Sequence, residues 1–136
     1  MRTLKYFILS FIALMFTCIC PQLLPAQNLQ GKALADSLIQ EARKTKSDTD
    51  QVKLIAKAAR ALISTDPSAA MKYADSALHL SQQHKWQKGI GLAYINKARI
   101  YNATLNFITS IANADTACAI FKSIQWKPAM GDAFVV

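Results

Sequence analysis

A phrase that recurs at a fixed distance constrains this chain more than any other feature. Trp86 begins the phrase WQKGIGLAYINKARIY, and Trp126, 40 positions later, begins the phrase WKPAMGDAFVV. The same step pairs three further positions, namely Gly91 with Gly131, Ala93 with Ala133, and Tyr94 with Phe134. Internal periods of roughly 20–50 residues are typical of stacked supersecondary units. The sequence therefore predicts repeated units rather than one closed globule.

The spacing of the apolar residues indicates that the repeated unit is helical. Apolar residues make up 52% of the chain, which has only 4 glycines and 4 prolines, so little of it suits short, punctuated strands. The apolar positions recur at three-to-four spacing rather than alternating. The predicted fold class is all-α.

Several polar residues mark the predicted helix ends. Asn28 is expected to cap the first helix, and Ser47 with Asp50 resembles a capping box at the start of the second. Asp66 followed by Pro67 predicts the start of a third helix, because proline fits the first helical position. Further breaks are expected at His84-Lys85, at Leu105-Asn106 and before Trp126, after which a sixth helix begins.

Each antiparallel helix hairpin is too thin to bury both of its apolar faces, so the next hairpin must cover it. The sequence therefore predicts an α-solenoid of helix hairpins. Close approach of the helices is expected at small residues, which are Ala58, Ala70, Ala77, Ala98, Ser110 and Ala117. Large residues are expected to fill the space between hairpins, namely Tyr94, Tyr101, Phe107 and Phe121. The buried side of the fifth helix is predicted to contain Phe107, Ile111, Ala114, Cys118 and Phe121.

The first residues predict export. Arg2 and Lys5 precede an unbroken apolar and small-residue run that ends near Cys20, and Ala26 suits a cleavage site. Residues 1–26 are therefore predicted to be a signal peptide, with the rest periplasmic or in the cell envelope. An uncleaved segment would instead anchor the protein in the inner membrane.

The chemistry of the remaining residues favours no enzyme. Cleavage leaves Cys118 as the only cysteine, so no disulfide forms, and we expect its thiol to be buried and inert. His79 and His84 stand five positions apart, which places them on different faces of a helix. No metal, cofactor or catalytic group is predicted.

The net charge does not indicate nucleic-acid binding. Removal of Arg2 and Lys5 lowers it from +8 to +6, and the remaining basic residues are spread singly apart from Arg43, Lys44 and Lys46. No aromatic residues alternate with them and no nucleic-acid motif is present. The expected partner is a protein or peptide.

The pattern Tyr94, Ala98, Tyr101, Ser110, Ala114 and Ala117 resembles the tetratricopeptide repeat, and Leu54 to Ala77 resembles a second, weaker copy. Together with the leader, it looks like the exported tetratricopeptide regions of Bacteroidetes signalling proteins. Lys57 and Lys97 depart from the family, which prefers leucine there, and Ala114 replaces an aromatic residue. The resemblance divides the chain into residues 27–47, an N-terminal helix, and residues 48–136, with repeats at about 48–86, 87–126 and a truncated 127–136.

The resemblance implies a groove lined by the first helix of each repeat. On this chain the groove residues would be Ile55, Ile95, Asn96, Arg99 and Asn102, with Asn96 resembling the family's carboxylate-clamp asparagine. The expected function is a non-enzymatic, exported scaffold for protein–protein interaction that forms the N-terminal part of a larger protein. The alternative is the sensor region of a histidine kinase or another signal-transduction protein, truncated before its output module; a gene fragment is the third.

Overall fold

The computed structural model describes the backbone of residues 23–126 and the side chains of residues 30–126. In this part of the chain every regular element is an α-helix, as the apolar spacing predicted. The helices are α1 (Leu23–Lys44), α2 (Asp48–Leu62), α3 (Pro67–Gln83), α4 (Gln87–Ala103) and α5 (Phe107–Ser123).

Side chains that accept backbone hydrogen bonds fix where three of the helices begin. The Ser47 hydroxyl accepts from the Asp50 amide at 3.3 Å, which confirms the predicted start of α2. Asp66 Oδ1 accepts from the Ala69 amide at 2.9 Å and Pro67 follows at the first helical position, as predicted. Asn106 caps α5 in the same way. Each cap satisfies an amide that has no partner within the helix.

The ends of α3, α4 and α5 share one turn geometry. After α4, the Asn106 amide donates to the Tyr101 carbonyl at 2.8 Å and the Leu105 amide donates to the Asn102 carbonyl. This pair of bonds is the Schellman closure, which needs a left-handed residue between the helix and the next segment. The left-handed residues are Lys85 at φ 51°, Leu105 at φ 61° and Gln125 at φ 50°.

The unit that begins at Gly31 is built from helices that pack against their neighbours in the chain. Contacts join α2 to α3, α3 to α4, and α4 to α5, and a further set joins α2 to α4. Two apolar clusters fill these contacts. One contains Ala35, Ala59 and Ile100, and the other contains Ala42, Val52 and Ala93.

Small residues are buried in the contacts between the helices, as predicted from the sequence. All six of the predicted positions are buried, with at most 3% of any of them exposed: Ala58, Ala70, Ala77, Ala98, Ser110 and Ala117. Ser110 also donates a hydrogen bond to the Ala98 carbonyl at 2.8 Å, which links α5 to α4. Helix backbones can approach this closely because no large side chain stands between them.

The amino-terminal helix begins earlier than the sequence predicted. Asn28 lies within α1 rather than in front of it, so its predicted role as a helix cap is wrong. Between Leu23 and Asn28 the only residue that breaks helices is Pro25, and the first turn of a helix tolerates proline. Most of the predicted signal peptide, residues 1–26, and the predicted sixth helix, residues 127–136, lie outside the described residues.

Candidate functional site

The five predicted groove residues come from α2 and α4, and the structure separates them by burial. Ile55 and Asn96 are buried, with 8% and 4% of each residue exposed. Ile95 and Arg99 are half-buried, and Asn102 is exposed. Ile95, Arg99 and Asn102 lie at four- and three-residue steps and therefore share one face of α4. Solvent reaches this face, whereas Ile55 belongs to the core.

Asn96 has a structural partner inside the helix contact. Its Nδ2 atom donates to the backbone carbonyl of Ala56 at 3.0 Å, and the two residues stand 40 positions apart. The hydrogen bond therefore joins the same position of two successive repeats. A buried amide needs such a partner, because an unpaired one would lose its bonds to water. The resemblance placed Asn96 on a partner-binding surface, but its side chain lies in the contact between α2 and α4.

Four large apolar side chains are exposed around the turn between α4 and α5. Their exposed fractions are 75% for Leu105, 54% for Phe107, 86% for Ile108 and 62% for Ile111. We call these four residues the α4–α5 patch. The prediction that Phe107 and Ile111 lie on the buried side of α5 is wrong. Among the described helices α5 contacts α4 alone, so only one side of α5 is covered.

The sequence did contain a signal for the buried side of α5. Ser110 and Ala117, seven positions apart, are the buried residues of this helix. They lie 40 positions after Ala70 and Ala77, which face the interior in α3. The prediction from the small residues therefore identified the covered side of α5, whereas the prediction from the large apolar residues selected the wrong one.

Polar groups continue the surface from the patch along α4. The Leu105 amide donates to the Asn102 carbonyl at 3.0 Å, so the patch begins at the exposed end of the predicted groove face. Arg99 lies one turn before Asn102 on the same face. An apolar centre beside polar and charged side chains is the composition of a protein-binding surface.

Lys97 explains one departure from the tetratricopeptide pattern. Its Nζ atom lies 2.7 Å from Asp75 Oδ1, so the ion pair joins α4 to α3 at a position where the family prefers leucine. The Lys97 side chain is 19% exposed and that of Asp75 is 54% exposed. The pair therefore lies at the edge of the helix contact, where the charged ends reach water and the lysine stem covers apolar surface.

The histidines and the cysteine form no reactive cluster in the described residues. His84 Nδ1 lies 3.2 Å from Asp48 Oδ2, and His79 is exposed without sharing that contact. Between residues 23 and 126 there is no group of three or more His, Cys, Asp or Glu side chains that could hold a metal ion. Cys118 is exposed, so the prediction of a buried thiol is wrong. It follows the buried residue Ala117 directly and lies on the uncovered side of α5.

Comparison with protein-family models, with curated proteins and with solved structures finds no match for this chain. The likeness to tetratricopeptide repeats therefore stays a resemblance carried by residues. None of the described helices combines the length and the apolar character that crossing a membrane requires.

Proposed function

We propose that this chain is a non-enzymatic, exported, tetratricopeptide-like α-solenoid that serves as a scaffold for protein–protein interaction. The observation that carries the proposal is the α4–α5 patch. Four of the five large apolar side chains that are strongly exposed in the described residues fall within the seven positions from Leu105 to Ile111. Single exposed apolar residues are ordinary, but a contiguous group of them is typical of a surface that another protein covers.

The packing of α2 against α4 supports the solenoid part of the proposal. The hydrogen bond from Asn96 to Ala56 relates the two helices by one repeat step. Helices related in this way lie side by side, and their outer faces form one extended surface. Ile95, Arg99 and Asn102 lie on the outer face of α4 that leads to the patch. In this proposal Arg99 and Asn102 supply polar contacts beside the apolar anchors.

Export is the part of the proposal that depends on the amino-terminal sequence. Arg2, Lys5 and the apolar run after them favour a signal peptide that ends at Ala26. The partner would then be another protein of the cell envelope.

A site-specific photocrosslinking experiment tests the interaction. A photoreactive phenylalanine analogue replaces Ile108 in the full chain, expressed in its native cells, and crosslinked proteins are identified by mass spectrometry. The matched control carries the analogue at Ser68, which is also exposed and occupies the equivalent position of α3. We expect the probe at Ile108, and not the probe at Ser68, to capture one discrete protein.

A substitution within the patch makes the test specific. Leu105→Asp adds a charge to the apolar surface, and aspartate tolerates the left-handed backbone conformation at this position. We expect this change to abolish crosslinking from position 108 without lowering the denaturant midpoint. Equal labelling from positions 68 and 108, or labelling that survives Leu105→Asp, would show that the patch binds no protein.

A further inference from the structure

In α1 and in α3, equivalent faces pack against the helix that follows in the chain. In α1, a Cβ atom placed on Gly31 would lie 2.9 Å from the Ala61 carbonyl oxygen of α2, and Ala35, one turn later, is 1% exposed. In α3, Asp75 accepts a hydrogen bond from Lys97 of α4 at 2.7 Å. Ala35 and Asp75 stand 40 positions apart, so they occupy the same position in successive repeats. Equivalent faces of α1 and α3 therefore meet α2 and α4.

The equivalent face of α5 is uncovered. The same step carries Asp75 onto Asp115, and Ile111 and Cys118 lie one turn to either side of it. All three residues are exposed. Their counterparts in α3 are Met71 and Leu78, which pack against the two apolar clusters. In the described part of the chain no helix follows α5 to cover this face.

The residues after α5 make the same closing hydrogen bond as the residues after α3. The Trp126 amide donates to the Phe121 carbonyl at 2.9 Å, and the Trp86 amide donates to the Ser81 carbonyl at 2.8 Å. A lysine ammonium group also lies over each of the two indole rings. Lys88 Nζ lies 4.7 Å from the centre of the Trp126 ring, and Lys53 Nζ lies 5.9 Å from that of Trp86. The next residues then repeat the beginning of α4, with Gly131, Ala133 and Phe134 at the positions of Gly91, Ala93 and Tyr94.

We propose that residues 127–136 dock on this face of α5 from its C-terminal end to the turn that contains Cys118, as the first half of α4 docks on α3. The chain's own segment is thus the occupant of this face. The proposal is independent of partner binding at the α4–α5 patch, because the segment reaches the opposite end of α5.

The ion pair of the preceding repeat sets the register. Asp75 lies opposite Lys97 in an antiparallel pair. Moving three residues forward along α3 and three back along α4 brings Leu78 opposite Tyr94. One repeat step later, Cys118 lies opposite Phe134.

Disulfide crosslinking tests this register. In the full chain, Cys18→Ser and Cys20→Ser leave Cys118 as the only thiol, and a second cysteine is introduced by Phe134→Cys. The matched control is Val135→Cys, which closes a loop of almost the same length but lies on a different side of a docked helix. With oxidised glutathione as the oxidant, we expect Phe134→Cys to form the intramolecular disulfide at least roughly tenfold faster, because the bond requires facing Cβ atoms. Equal rates, or disulfides formed only between two copies, would overturn the proposal.

The labelling rate of Cys118 provides a second readout that does not require a second cysteine. In the chain whose only cysteine is Cys118, Phe134→Asp should raise the rate of reaction with an aromatic disulfide reagent severalfold, since the charge would expel the segment from the apolar face. Val135→Asp should change that rate less than Phe134→Asp does. Identical rates in the unsubstituted chain and both variants would show that the segment does not shield α5.

Discussion

The side-chain amide of Asn96 donates a hydrogen bond to the backbone carbonyl of Ala56, at 3.0 Å and at a sequence distance of 40 residues. Because the sequence distance equals the repeat step, the bond connects one position of a repeat with the same position of the next. It is also buried, so water cannot replace it. The contact therefore sets both the distance and the register between α2 and α4.

Replacing Asn96 should destabilise the fold. Asn96→Ala removes the hydrogen bond and leaves space in the contact, and we expect a loss of about 1–3 kcal/mol in the free energy of unfolding. Asn102→Ala, an exposed change on the same helix, should stay within about 0.5 kcal/mol. Urea unfolding followed by circular dichroism measures both values. If the two variants unfold at the same urea concentration, the hydrogen bond contributes nothing to the stability of the fold.

Gly91 is required because the ring of Phe121 lies against it. A Cβ atom on Gly91 would clash with the Phe121 ring at Cε1, and Phe121 also packs on Trp126, with 4.5 Å between the ring centres. Gly91→Ala gains about 1 kcal/mol of helix propensity, but forcing the ring away costs about 1–3 kcal/mol. We expect a net loss of stability and an altered Trp126 emission spectrum.

A second background separates the two effects of Gly91→Ala. In a chain that carries Phe121→Ala, the clash is absent, so Gly91→Ala should stabilise the protein by about 1 kcal/mol. The change of sign between the two backgrounds is the expected outcome of the urea unfolding series. The same destabilisation in both would mean that the ring does not limit this position.

The helix ends could be predicted from the sequence because short-range chemistry sets them. Ser47 and Asp66 accept hydrogen bonds from amides three residues later, and Pro67 acts through its own backbone, so their roles do not depend on the rest of the fold. The left-handed residues Lys85 and Leu105 could not be predicted, since neither is glycine or asparagine. Here the closing hydrogen bonds and the next helix impose the conformation.

Burial was harder to predict than helix position, because it depends on which neighbours are present. Phe107 and Ile111 look like core residues, and they are exposed because no described helix covers their side of α5. Asn96 looks like a surface residue, and it is buried because α2 supplies an acceptor 40 positions away. Both errors arise from treating a helix in isolation, whereas the helices packed against it decide which face is buried.

The first turn of α2 contains a carboxylate whose titration reports its pairing. A hydrogen bond from Lys53 at 2.7 Å, then the Ser47 hydroxyl and the lysine charge, lower the pKa of Asp50 below its ordinary value. The ionised form is therefore favoured by folding. Its stabilising effect is complete above the pKa of the unfolded chain, about 3.9, and is lost as the pH falls through the lower folded pKa.

Lys53→Gln should raise the pKa of Asp50 towards its ordinary value, because it removes the largest cause of the shift. Nuclear magnetic resonance of the Asp50 carboxyl carbon between pH 2 and 6, roughly the range around an aspartate pKa, measures the change. The effect on stability should be small, since both side chains are exposed. A carboxyl group that titrates identically in the two chains would contradict the pairing.

Leu105 adopts the left-handed conformation at φ 61° while leaving 75% of its surface in water. A side chain in this conformation costs about 1–2 kcal/mol, and glycine avoids the strain but loses about 0.5–1 kcal/mol of chain entropy on folding. Leu105→Gly should therefore be more stable than Leu105→Ala by about 0.5–1 kcal/mol, although both remove the same apolar side chain. Comparing glycine with alanine cancels the loss of leucine and isolates the backbone term. Equal thermal midpoints for the two variants would mean that the Schellman closure after α4 imposes no strain, and the same comparison at Lys85 would then be expected to show none.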